Sequence, residues 1–139
     1  MVSWLLGEAG SEGVRRALAE AAHILTSELT LVECDRALIR ARTSLNLGAA
    51  EIEKRRALLE SRARHWTLMA IGPAVIDRAR RPFPVEPIRT LDALHMASAL
   101  GAKEAFDDLV MLSFDHRVRA AARAVGLGVL PRGDRSVIS

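Results

Sequence analysis

The sequence predicts an α/β protein in which a parallel sheet is covered by helices on both faces. Short apolar runs alternate with longer amphipathic segments along the whole chain, and this alternation is typical of parallel β-α-β units. The 139 residues fit one ordinary domain, so we expect a single domain over residues 1–139. Hydrophobic residues make up 50% and charged residues 27%, a globular composition that excludes a disordered or low-complexity chain.

Apolar residues three and four positions apart predict the helices. The first helix carries Val14 and Leu18 on one face. Pro73 begins a later helix at the first-turn position that proline tolerates, and Gly126 ends the last one. The predicted helices cover residues 11–22, 27–42, 49–64, 73–80, 90–102 and 115–125.

Short apolar runs between these helices predict the strands. They cover residues 23–26, 66–71, 109–113 and 127–130. A segment with three prolines, residues 81–89, is predicted to be an extended loop, because each proline disfavours helix in the residue before it. In a parallel α/β sheet, functional side chains gather at the carboxyl ends of the strands.

Composition and charge narrow the classes of function. No apolar stretch approaches the roughly 20 residues needed to cross a bilayer, so we expect no membrane partner. Cys34 is the only cysteine, which excludes an internal disulfide and a cysteine-based metal site and favours the cytoplasm. The net charge of +3 permits nucleic-acid binding without requiring it. Because aromatic residues are only 4%, a bound nucleic acid would be held through its phosphates rather than by stacked bases.

Three carboxylates have both a structural and a functional interpretation. Glu33 is spaced from Thr30 as in a capping box, which is an ordinary role for a glutamate on a helix surface. Asp92 lies in the first turn of a strongly apolar helix if Thr90 caps that helix, and the helix dipole favours an anion there. Asp115 directly follows a predicted buried strand, so it is either a helix N-cap or an acid at a functional strand end.

Taken together, the three acids predict a cation site. Magnesium and manganese prefer oxygen ligands, and carboxylates that crowd a cleft repel one another until a cation relieves them. On this argument Glu33, Asp92 and Asp115 converge at one end of the sheet. Neutralising Asp92 with asparagine would then relieve repulsion in the metal-free protein.

The same acids lie in stretches that resemble the PIN-domain ribonucleases, in particular the VapC-type toxins of bacterial toxin–antitoxin pairs. The stretches are LTSELTLVE at residues 25–33, RTLDALHMA at 89–97 and DLVMLSFD at 108–115, with WLLGE at 4–8. The resemblance covers nearly the whole chain, and the TLDALH part is its most specific motif.

This resemblance implies a PIN-like parallel α/β fold and a metal-dependent endoribonuclease. It implies that Glu33, Asp92 and Asp115 are three members of an acidic quartet that binds Mg²⁺ or Mn²⁺, with Thr90 or Ser113 in support. The expected reaction is cleavage of RNA phosphodiester bonds by a metal-activated water. The expected partners are the RNA substrate, a second copy of the chain in a homodimer, and a cognate antitoxin that neutralises the toxin.

The sequence departs from the family pattern at its beginning. Family members start with a strand that ends in an aspartate, and residues 2–6 match the helix that follows it. The first, central strand and the fourth acid are therefore expected to lie upstream of Met1, outside this chain. An alternative hypothesis is a catalytically inactive, truncated PIN protein that only binds an antitoxin or dimerises. A ligand-binding α/β module without nuclease activity is a third.

Overall fold

The computed structural model describes residues 1–8 and 10–132 of the 139-residue chain. The chain divides between Ala70 and Ile71 into two compact units. Each unit has its own cluster of buried apolar side chains and its own pair of parallel strands.

The first unit contains four helices and two strands. In chain order they are α1 (Val2–Leu6), α2 (Ser11–Glu20), β1 (Leu25–Ser27), α3 (Leu29–Ser44), α4 (Ala49–Ala63) and β2 (Thr67–Met69). Strands β1 and β2 are parallel, with Leu25 opposite Thr67 and Ser27 opposite Met69. The buried core side chains come from α1, α3, α4 and the residue before β2, and they are Leu5, Cys34, Leu38, Ala41, Ile52, Leu59 and Trp66.

Strand β1 ends one residue later, and helix α3 begins two residues later, than the sequence predicted. Strand pairing reaches Ser27, which is buried, and α3 begins at Leu29. The Ser27 hydroxyl accepts a hydrogen bond from the Leu29 backbone N–H at 3.2 Å. The Glu28 N–H donates to the Met69 carbonyl at 3.1 Å, so pairing with β2 continues past Ser27 and the helix starts later.

The second unit contains three helices and two strands among its described residues. They are α5 (Pro73–Ala79), α6 (Thr90–Lys103), β3 (Val110–Leu112), α7 (His116–Ala124) and β4 (Gly128–Leu130). The segment β3-α7-β4 is a β-α-β unit whose strands are parallel, with Val110 opposite Gly128 and Leu112 opposite Leu130. The buried core side chains are Phe83, Ala93, Met96, Ala99, Val118, Ala121, Ala122 and Leu127.

The proline-rich loop between α5 and α6 is extended, as the sequence predicted. The Glu86 carboxylate accepts hydrogen bonds from the backbone N–H groups of Phe83, at 2.8 Å, and Ile88, at 2.6 Å. Phe83 is buried in the core, and the Arg78 guanidinium lies 4.2 Å from the centre of its ring. These contacts fix the path of the chain into Arg89, the residue that precedes α6.

The predicted α/β class with parallel strands is confirmed, although each strand is only three residues long. The described strands pair as two two-stranded sheets, β1 with β2 and β3 with β4. Within residues 1–8 and 10–132, no helix has the length and apolar character needed to cross a bilayer.

Candidate active site around Arg89

Asp115 occupies the N-cap of α7, three residues after β3 ends. Its Oδ1 accepts hydrogen bonds from the backbone N–H groups of Arg117, at 2.8 Å, and Val118, at 3.2 Å. The N-cap interpretation of the sequence is therefore confirmed. Because Oδ1 is used for the cap, the carboxylate is fixed in orientation and Oδ2 points away from these amides as its remaining acceptor.

Asp92 lies in the first turn of α6, as expected, but the helix begins differently from the prediction. Arg89 rather than Thr90 is the N-cap residue, and Thr90 is the exposed first residue of the helix. The Arg89 carbonyl already accepts the first helical hydrogen bond, from the N–H of Ala93 at 2.8 Å. The backbone of Arg89 is extended, as in the proline-rich loop before it, and the helix begins with the next residue. Thr90 is therefore inside the helix and does not cap it.

The guanidinium of Arg89 joins the two aspartates. Its Nε donates to Asp92 Oδ2 at 3.0 Å, and its Nη2 donates to Asp115 Oδ2 at 2.7 Å. Asp92 and Asp115 come from the N-termini of two different helices, yet both face the same cation. The side chains are 25% and 31% exposed, whereas that of Arg89 is 67% exposed. The cluster therefore lies at the surface, with the arginine on the solvent side.

The charges of this cluster shift two pKa values. The hydrogen bond to Asp92, with the charges of Asp92 and Asp115, raises the pKa of the Arg89 guanidinium. The backbone N–H of Val118 is the main cause that lowers the pKa of Asp115, and the charge of Arg89 adds to it. Asp115 is consequently an anion, and Arg89 a cation, throughout the neutral pH range.

Ser113 and Arg119 hold the turn that carries Asp115. The Ser113 hydroxyl accepts from the Asp115 backbone N–H at 3.2 Å. Arg119 donates through Nη1 to the carbonyls of Ser113, at 2.7 Å, and Leu130, at 3.1 Å, and through Nη2 to that of Pro131 at 2.8 Å. One guanidinium thus ties together the carboxyl ends of β3 and β4.

Glu33 belongs to the first unit, where it follows a group of hydroxyl side chains at the carboxyl end of β1. The Oγ1 atoms of Thr26 and Thr30 are 2.6 Å apart, and Thr30 is buried. The residue preceding α3 is Glu28, so the capping-box interpretation of Thr30 and Glu33 is wrong. Glu33 is half-buried in the second turn of α3, and its charge acts on the pKa of the Met1 amino group, which burial lowers.

Cys34 takes no part in this chemistry. It is 0% exposed within the core of the first unit, and burial raises the pKa of its thiol to about 11. A neutral, buried thiol is neither a nucleophile nor a metal ligand at neutral pH.

The donor set of the cluster suits a hard cation. Asp92 and Asp115 direct carboxylate oxygens at one positive group, and carboxylate oxygen is the ligand type that Mg²⁺ and Mn²⁺ prefer. Among the residues that the structure describes, no group of three or more His, Cys, Asp or Glu side chains is arranged to hold a metal ion. The convergence of Glu33 with the two aspartates stays a prediction.

Sequence reasoning missed the two arginines of the site. Arg89 stands three residues before Asp92, the spacing of a helical ion pair, and this signal was available. Its second contact, with Asp115, spans 26 residues and leaves no mark in the sequence. Arg119 has no sequence signal either, because its partners are backbone carbonyls.

Comparison with known proteins agrees with the α/β fold and its parallel strands. No curated protein matches the chain. The PIN domain family does match, over residues 1–124, which include α1 to α7 and all three candidate acids. The match extends over most of the chain, and the chain therefore belongs to the PIN domain family.

Proposed function

We propose that this chain is a divalent-metal-dependent endoribonuclease of the VapC toxin type. PIN domains are typically nucleases, and PIN nucleases generally use divalent metals. The observation that carries the proposal is the pair Asp92 and Asp115, whose Oδ2 atoms share one cationic partner at the start of two helices. The substrate class is RNA, and Mg²⁺ or Mn²⁺ is the cation that this donor set suits.

In this proposal Asp92 and Asp115 would hold the cation, and Glu33 would be the third acid. The bound cation supplies activation of a water molecule and neutralises charge on the phosphodiester. Asp115 keeps a fixed orientation because its Oδ1 caps α7, and Ser113 and Arg119 hold the turn beneath it. A fixed carboxylate holds a cation better than a mobile one, since no ordering of the side chain is needed on binding.

The proposed biological setting is a toxin–antitoxin pair. A cognate antitoxin neutralises the ribonuclease, and the chain forms a homodimer. Two exposed apolar side chains, Val32 and Ile39, lie two turns apart on α3 and give this helix a face suited to another protein chain. The alternative is a non-catalytic PIN protein that only binds such partners, and the cleavage experiment below separates the two.

The proposal is tested with Asp92→Asn and Asp115→Asn. Asparagine keeps the shape and one acceptor oxygen but removes the charge that holds the cation. We expect both variants to lose Mn²⁺-dependent cleavage of a structured RNA and to retain the circular dichroism spectrum of the wild type. Addition of EDTA to the wild type should have the same effect as either substitution.

Asp77→Asn is the matched control, because Asp77 is a well-exposed aspartate of α5 in the same unit. It should cut at the wild-type rate. Full activity of Asp92→Asn in Mn²⁺, or equal loss in all three variants, would contradict the proposed site. A wild type that never cuts but still binds a co-expressed partner would favour the non-catalytic alternative.

A further inference from the structure

We propose that Arg89 is a resident counter-cation that a divalent metal must displace, so that metal binding requires the Arg89 side chain to leave Asp92 and Asp115. This inference rests on the proposed function, since it concerns the regulation of the same site. It explains how two carboxylates remain close together in the metal-free chain.

The first argument is which oxygen atoms Arg89 contacts. Asp115 Oδ1 is held by the backbone N–H groups of Arg117 and Val118, so Oδ2 is the oxygen that remains for a cation. Arg89 donates to that Oδ2 and to Oδ2 of Asp92. The guanidinium and a divalent cation held by both aspartates would therefore compete for these two carboxylates.

The second argument is the freedom of the Arg89 side chain. Its backbone is fixed by the hydrogen bond from Ala93 N–H, but the side chain is 67% exposed and its described polar contacts are the two aspartates. Its departure into solvent disturbs no core packing. Exposed ion pairs are individually weak, so a bound metal can replace them.

The third argument is electrostatic. Two carboxylates that face one point repel each other, and one positive charge between them removes most of that repulsion. The relief of repulsion expected from Asp92→Asn stays a prediction, and the ion pairs of Arg89 argue for a smaller effect. Asp92→Asn also removes an ion-pair partner of Arg89.

The test measures Mn²⁺ affinity without RNA, by electron paramagnetic resonance of free Mn²⁺. Arg89→Gln removes both the charge and the contacts, and we expect it to bind Mn²⁺ about 3- to 30-fold more tightly than the wild type. Arg89→Lys keeps the charge but cannot span both carboxylates, so a smaller gain is expected. Arg117→Gln removes the same charge from the first turn of α7, where no side-chain hydrogen bond or ion pair of Arg117 is found among the described residues, and it reports the effect of charge alone.

A gain for Arg89→Gln at least about threefold larger than that for Arg117→Gln supports displacement, because the two variants differ in the contacts removed rather than in charge. Equal gains, or weaker binding by Arg89→Gln, would overturn it. A second measurement uses the unaltered protein: Mg²⁺ should shift the Nε–H resonance of Arg89 toward that of free arginine along the binding curve. An Nε–H resonance that does not move while Mg²⁺ binds also overturns the inference.

The same assay separates this inference from the proposed function. If the wild type binds Mn²⁺ no better than an Asp92→Asn, Asp115→Asn double variant, the metal site itself is wrong. If the wild type binds specifically and Arg89→Gln gives no gain, the site stands and only the displacement by metal is wrong.

Discussion

Asp115 uses its two carboxylate oxygens for different purposes. Oδ1 caps α7, and Oδ2 holds Arg89. One residue therefore contributes to the stability of the second unit and to the candidate active site. Substitutions at this position need to be chosen so that the two contributions are measured separately.

We expect Asp115→Ala to lower the free energy of unfolding by about 1–2 kcal/mol at neutral pH, because it removes the N-cap. Asp115→Asn should cost less, since its amide oxygen can still accept from the helix N–H groups. Urea denaturation measures both. An Asp115→Asn loss as large as that of Asp115→Ala would show that the cap hydrogen bonds are not the source of the stability.

The lowered pKa of Asp115 adds a pH dependence to this prediction. The unfolded chain takes up the proton first as the pH falls through the ordinary value of 3.8, because the folded protein holds the carboxylate ionised. The stabilisation from ionised Asp115 is complete above that pH and is lost as the pH falls through the lower, folded-state pKa. The stability difference between wild type and Asp115→Asn should shrink over this range, and urea denaturation at a series of pH values measures it. A difference that does not change with pH would contradict this prediction.

At the scale of elements, the carboxyl ends of β3 and β4 depend on Arg119. Each strand is three residues long, so few ladder hydrogen bonds hold the pair together. The Arg119 guanidinium adds contacts to the carbonyl of Leu130, the last residue of β4, and to those of Ser113 and Pro131 just beyond the two strands. These Arg119 contacts hold the β3–α7 turn, which carries Asp115, in place.

We expect Arg119→Met to lower the free energy of unfolding by about 1–3 kcal/mol, because three carbonyls lose a charged donor. Amide exchange should accelerate most at Ser113, whose N–H donates to Leu130 across the strands. Arg123→Met, at an exposed position in the last turn of the same helix, is the control and should change neither quantity. Unchanged exchange at Ser113 in Arg119→Met would mean that the backbone ladder alone holds the strands.

At the scale of the whole molecule, the charge composition predicts how the proposed RNA substrate would be held. All but two of the 20 basic residues are arginine, there is no tyrosine, and the net charge is +3. Arginine contacts phosphate through a planar, two-pronged donor group, while few aromatic rings are present for base stacking.

Binding of single-stranded RNA should therefore weaken steeply as NaCl is raised, since phosphate contacts release counterions from the nucleic acid. Fluorescence anisotropy with the Asp92→Asn variant in EDTA measures this without cleavage. We expect RNAs of equal length and different sequence to give similar slopes of affinity against salt. An affinity that does not change with salt would contradict phosphate-based binding.

The sequence by itself determined the elements, because their signals are local. Apolar residues at helical spacing lie on the buried sides of α3 and α6, Pro73 begins α5, and the prolines of residues 81–89 keep that loop extended. The cap of α7 by Asp115 was predictable for the same reason, since donor and acceptor lie within one helical turn. The start of α3 was not predictable, because it depends on pairing with β2, a strand that lies far later in the sequence, through the hydrogen bond from Glu28 N–H to the Met69 carbonyl.

Only the tertiary structure decided which charges meet. Asp92 and Asp115 share Arg89 because the core around Met96 and Val118 packs α6 and α7 within one unit. Burial of apolar surface is not directional and specifies no polar partner in the sequence. The contact between Arg89 and Asp115, across 26 residues, follows from where that packing places two helix N-termini. The sequence therefore identified the candidate acids, whereas the packing of the second unit placed the Arg89 side chain against two of them.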